Sequence, residues 1–68
     1  TLDELLTLNK VKFDPYEFEG LNAAMVIVNF KRAARKARWT LNQTQSAIKL
    51  AKAKPYAHIF DFIAEFCD

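Results

Sequence analysis

Ala23, Val26, Ile27, Phe30, Ala33, Ala34 and Ala37 recur at i, i+3, i+4 and i+7, the spacing that gathers side chains on one face of an α-helix. This stripe predicts a helix over 21–38, and such a helix must bury its apolar face against other elements. Its first half is apolar nearly all round, with Met25 and Val28 off the stripe, so that half is expected to be buried on more than one side. Breakers are scarce. With one glycine and two prolines in 68 residues, neither a disordered chain nor a turn-dense β protein fits. The expected fold is all-α, a small bundle of three main helices plus a short N-terminal helical arm.

The remaining segments follow from local signals. Thr1-Leu2-Asp3-Glu4 has the form of a capping box and opens a short helix ending near Asn9. Lys10-Val11-Lys12-Phe13 alternates polar and apolar but is too short for a sheet, so it reads as an extended connector. Asp14, Pro15 and Glu17 form a second helix start, and Gly20 permits a bend before the main helix. Trp39 and Thr40 mark a turn, with Thr40 as cap and Gln43 as its reciprocal partner. The helix over 41–53 should turn Leu41, Thr44, Ala47, Ile48, Leu50 and Ala51 inward. Pro55 opens a last, mostly buried helix ending near Cys67, with Tyr56, Ile59, Phe60, Ile63 and Cys67 in one stripe. Residues 1–68 are read as a single helical domain, 1–20 an acidic arm and 21–68 the core. A chain this short buries only about 60% of its unfolded surface. The 51% hydrophobic content and the nine aromatics implied by six Phe, two Tyr and one Trp are rich for that size. They suggest a tight core or an apolar face shared with a partner.

Charge is segregated. Of ten basic residues, eight lie between Lys31 and Lys54, and no acid occurs from Gly20 to Phe60. The acids sit before and after that block, so the net charge of +2 conceals a local positive field.

Chemistry of other kinds finds little support. One histidine, one serine and one cysteine, without a glycine-rich loop, give no nucleophile elbow or phosphate cradle, so no enzyme is expected. Cys67 has no basic neighbour in sequence to lower its pKa and reads as a small apolar residue. As the only cysteine it rules out a disulfide framework and fits a reducing, cytoplasmic setting. His58, Asp61 and Glu65 share a helical face but are too few for a closed metal site. No metal or other cofactor is expected. No apolar run reaches the roughly 18 residues of a membrane span. The chain opens on Thr1 rather than Met, which fits an excised domain.

The basic block remains. A solvated helix face with the acidic termini folded back over it is the plain reading. Against it, the block spans two consecutive helices without interspersed acids, and it holds three arginines, Arg32, Arg35 and Arg38, whose fork geometry suits phosphate. The expectation is a nucleic-acid-binding module, DNA ahead of RNA, with 34–53 arranged like a helix-turn-helix. Lys31, Arg32, Arg35, Lys36 and Arg38 would meet phosphates, with Lys49 and Lys52 extending the surface. Asn42, Gln43 and Gln45 would read base edges. Trp39 is read first as a core residue and second as a base-stacking one. The alternative is a small interaction, assembly or inhibitor module. In that case Met25, Val28, Phe62 and Phe66 would form an apolar interface or homodimer seam, and the basic face would meet an acidic protein.

Overall fold

The computed structural model describes residues 2–68, and the Thr1 cap expected above lies outside them. The elements are α1 (Leu2–Leu6), a 3-10 turn (Pro15–Phe18), α2 (Ala23–Lys36), α3 (Leu41–Lys52) and α4 (Tyr56–Ala64). Among the described residues there is no strand, only an isolated parallel bridge between Val11 and Cys67. The chain is a small all-α bundle. Among the described residues no helix is long and apolar enough to cross a membrane.

Local chemistry accounts for most of the boundaries. The Asp14 side chain accepts from the Tyr16 amide at 3.0 Å and Pro15 occupies the first position, but the segment closes as a 3-10 turn. Gly20 ends it at φ +88°, a conformation that side-chain-bearing residues rarely adopt. Asn22 then caps α2 by accepting from the Ala24 amide at 2.9 Å. The capping box of α3 is complete: Thr40 Oγ1 accepts from the Gln43 amide, and Gln43 Oε1 accepts from the Thr40 amide.

The turn between α2 and α3 contains no glycine, and the bonding explains why it still forms. The Trp39 amide donates to the Ala34 carbonyl and the Arg38 amide to the Arg35 carbonyl, each at 3.0 Å. This pair of bonds is a Schellman closure with Arg38 at the left-handed position, φ 69°. The turn drops Trp39 into the interior, where its indole N–H donates to the Asn9 carbonyl at 2.8 Å. The Asn9 side-chain Nδ2 in turn donates to the Ala37 carbonyl at 3.1 Å, so each chain segment satisfies a polar group of the other.

The core is an aromatic cluster. The Phe30 and Trp39 rings meet edge to face at 5.7 Å and Trp39 and Phe66 at 5.5 Å, while Phe30 and Phe66 are tilted against each other at 6.3 Å. Val26, Ala34, Ala47, Ala51, Ile59 and Ile63 pack around it. Thr44, the buried polar residue of the core, donates to the Thr40 carbonyl and so is satisfied.

Residues 2–20 pack onto the bundle through Leu5, Val11 and Pro15, which are buried. Val11 is held by the chain terminus: its amide donates to the Phe66 carbonyl, and its carbonyl accepts from the Asp68 amide. Other expectations change. The first half of α2 is buried on one side only, since nothing covers the outer face that carries Met25 and Val28, each 49% exposed. On α3, Leu41 and Leu50 point largely to solvent, because Thr44, Ala47 and Ala51 take the inward line. Helix α4 stops at Ala64 and leaves Tyr56 exposed at its start, where its hydroxyl donates to the Leu21 carbonyl.

Candidate functional site

Helix α2 places its cations by simple periodicity. At 3.6 residues per turn, Lys31, Arg35, Arg32 and Lys36 fan across the face opposite Val26, Phe30 and Ala34, which are buried. Lys31, Arg32 and Arg35 border a hollow of about 330 Å³ against α3, closed by Trp39, Leu41 and Thr44. A second hollow of about 510 Å³ continues along the same seam. There Ile27, Val28 and Lys31 of α2 face Gln45, Ile48, Lys49 and Lys52 of α3. The arrangement is a groove with an apolar floor and cationic walls.

The charges on it are unopposed. Among the described residues, the side chains of Lys31, Arg32, Arg35 and Lys36 make no hydrogen bond or ion pair. Two of the carboxylates have partners of their own: Asp14 caps the 3-10 turn, and Asp61 accepts from the Tyr16 hydroxyl, a bond that raises the Tyr16 pKa above its ordinary value.

The predicted residues divide by location. Lys31, Arg32, Arg35, Gln45, Lys49 and Lys52 come together along the groove. Lys36 turns to the far flank of α2, and there the structure supplies two residues that sequence reasoning left out. Lys10 and Lys12 of the connector line a hollow of about 320 Å³ with Lys36, Ala33 and Ala37. Lys10 is steadied by donating to the Glu65 carbonyl at 3.1 Å. Pairing of the connector with the chain terminus is what brings these lysines to α2, and nothing local in the sequence announces it. Arg38 is engaged through its backbone in the Schellman turn.

The base-reading candidates fare differently. Gln43 is half-buried and its oxygen is held in the capping box. Asn42, Gln43 and Ser46 border a hollow shared with Glu4, Leu5 and Leu8, so that side of α3 faces the N-terminal segment. Gln45 alone of the three candidates borders the basic groove.

The predicted apolar interface also divides. Met25 and Val28 are exposed on α2, and Leu21, 51% exposed, lies just before the helix. Phe66 is a correction. At 2% exposure it lies in the core, because the chain turns after Ala64 and swings its ring between Phe30 and Trp39. Phe62 is half-buried, with its ring edge to face on Phe66 at 5.3 Å and the Lys54 ammonium 5.3 Å above it. Trp39, 7% exposed, is a core residue and offers no stacking face.

His58, Asp61 and Glu65 share a surface hollow with Lys54 and Phe62. No group of three or more His, Cys, Asp or Glu side chains among the described residues is arranged to hold a metal ion. Burial pushes the Cys67 thiol up to about 11, with the Asp14 charge adding to the rise and the Lys10 charge opposing it. The chain matches no protein-family model, and no curated protein or solved structure is significantly similar to it.

Proposed function

We propose that this chain is a non-catalytic nucleic-acid-binding module whose contact surface is the basic groove between α2 and α3. The supporting observation is the row of Lys31, Arg32 and Arg35 along one wall of the groove, without side-chain partners, with Lys49 and Lys52 across the seam from Lys31. Cations held side by side without carboxylate partners repel one another. Such a row is relieved when phosphates come to lie along it and condensed counterions are released. Arginine adds a planar fork that matches phosphate oxygens. The apolar floor leaves room for sugar or base surface beneath the phosphate line.

A second reading draws on a separate observation. Met25 and Val28 are exposed apolar residues on α2, with Leu21 exposed just before the helix, which suits docking against another protein.

Fluorescence anisotropy against random duplex DNA and single-stranded RNA at several salt concentrations tests the first reading. Log affinity should fall with log salt by about 0.9 for each duplex phosphate neutralised. Arg32→Ala and Arg35→Ala should each flatten the slope by about that amount while the circular dichroism spectrum stays unchanged. A slope that ignores both changes would remove these arginines from the interface. Absence of binding at low salt would favour the protein-docking reading, which Met25→Asp should then weaken.

A further inference from the structure

Resting on the nucleic-acid reading, we infer that α2, rather than α3, is the helix that enters the major groove of B-form DNA, with a lysine shoulder on each side for the two flanking phosphate strands. Three sets of positive charge lie on and to either side of α2. The middle set is the crest of α2, with Arg32 and Arg35 outermost. On one side lie Lys49 and Lys52 of α3, across the groove that Lys31 borders. On the other lie Lys10 and Lys12 of the connector, across the hollow that Lys36 borders. Lys31 and Lys36 are five residues apart, which at 3.6 residues per turn sets them on opposite flanks of the helix. The two hollows therefore lie to either side of the crest.

A helix with its side chains is about 10–12 Å across, and the major groove of B-DNA is about 12 Å wide with a phosphate strand on each lip. A cationic ridge between two cationic shoulders has the shape of that groove's complement. A flat surface that merely attracts phosphate would have no need of the far shoulder. The crest carries the side chains best suited to reading bases: arginine takes guanine O6 and N7 together, and Val28, one turn before Arg32, offers an apolar contact to a thymine methyl. Helix α3 is poorly placed for the same task. The oxygen of Gln43 is occupied by the Thr40 amide, and Asn42 and Ser46 share their hollow with Leu5 and Leu8. The deep, narrow major groove of A-form RNA does not admit a helix, so the inference selects duplex DNA over duplex RNA.

The test compares short duplexes of DNA and RNA of matching sequence by anisotropy across a salt series, with the whole chain and three variants. The double variant Lys10→Ala/Lys12→Ala should lower the DNA salt slope by about 1.8, and Lys49→Ala/Lys52→Ala by a similar amount. Asn42→Ala should leave both affinity and slope unchanged. Duplex RNA should bind more weakly than duplex DNA by on the order of tenfold. Salt-dependent DNA binding that Lys10→Ala/Lys12→Ala does not alter, or equal affinity for the two duplexes, overturns the docking of α2 and leaves the nucleic-acid reading in place. No salt-dependent binding of either duplex by the unaltered chain overturns both.

Discussion

The two long faces of α2 are built on opposite rules. On the inner face Val26, Phe30 and Ala34 are fully enclosed, and Phe30 touches the rings of Phe13, Trp39 and Phe66. Each of those side chains is specified by what surrounds it. On the outer face Met25 and Val28 give way to Arg32, Arg35 and Lys36, all turned to solvent. Nothing within the chain fixes these residue types, and helix propensity alone is satisfied by many others. A fold of this size has a small stability margin, so a row of like charges left unpaired is a cost that the fold itself does not require. Residues that the core specifies and residues that it leaves free to vary are thus separated by half a turn of one helix.

That separation is open to direct attack. Phe30→Ala deletes the ring at the centre of the aromatic cluster and should cost about 3–5 kcal/mol, enough to leave so small a domain largely unfolded at room temperature. Arg32→Ala, on the opposite face, should stay within about 0.5 kcal/mol of the parent. Chemical denaturation followed by far-ultraviolet circular dichroism reads both. If Arg32→Ala destabilised the chain as Phe30→Ala does, the division of α2 into two faces would be wrong. Trp39→Phe is the next step down. It keeps most of the packing but removes the indole donor from the Asn9 carbonyl, a bond that is part-buried. The lost bond should cost about 1–3 kcal/mol, and Asn9→Ala should lose less once Trp39 has already been changed, because the two residues share one network.

The inner face was largely legible in the sequence, and the reason is locality. The Ala23-to-Ala37 stripe, the Asp14-Pro15 start and the Thr40–Gln43 box each depend on residues within a turn or two of one another. Trp39 was also read correctly as core. The failures involve partners distant in sequence. Val11 is buried because the chain terminus returns to pair with it, and Phe66 is core because that same return carries it between Phe30 and Trp39. The site shows the same division. The cations of α2 and the Lys49–Lys52 edge follow from helical period. The Lys10–Lys12 shoulder depends on where the connector is tied down, which no local pattern reveals. Gln43 carried two incompatible roles in the sequence, cap and base reader, and the capping box took it.

Arg38 sits where the two rules meet, and replacing it separates backbone from charge. Its φ of 69° is a conformation that glycine adopts freely and a β-carbon resists. Arg38→Gly should relieve strain of about 1 kcal/mol, offset in part by the greater freedom glycine gives the unfolded chain. A small gain in denaturation midpoint is expected. If the salt slope for DNA also fell by about 0.9, Arg38 would belong to the phosphate row as well as to the turn. A clear loss of stability would mean that the arginine side chain makes contacts that outweigh the strain.

The smallest effect concerns Cys67, where the enclosed side of the molecule meets its end. Burial holds the thiol neutral, with its pKa raised from 9.0 to about 11, so the folded chain resists an ionisation that the unfolded chain accepts more readily. A raised folded value gives stability that is fully present below pH 9 and is lost as pH climbs from 9 toward 11. Denaturation midpoints at pH 8 and pH 10 for the parent and for Cys67→Ala isolate the thiol from any other group that titrates in that range. The parent should lose more stability than Cys67→Ala between the two pH values, and its thiol should react with a maleimide more slowly than free cysteine does at pH 8. Equal losses would mean that the thiol titrates as it does in water, and that the seam where Cys67 pairs with Val11 opens readily instead of being part of the closed core.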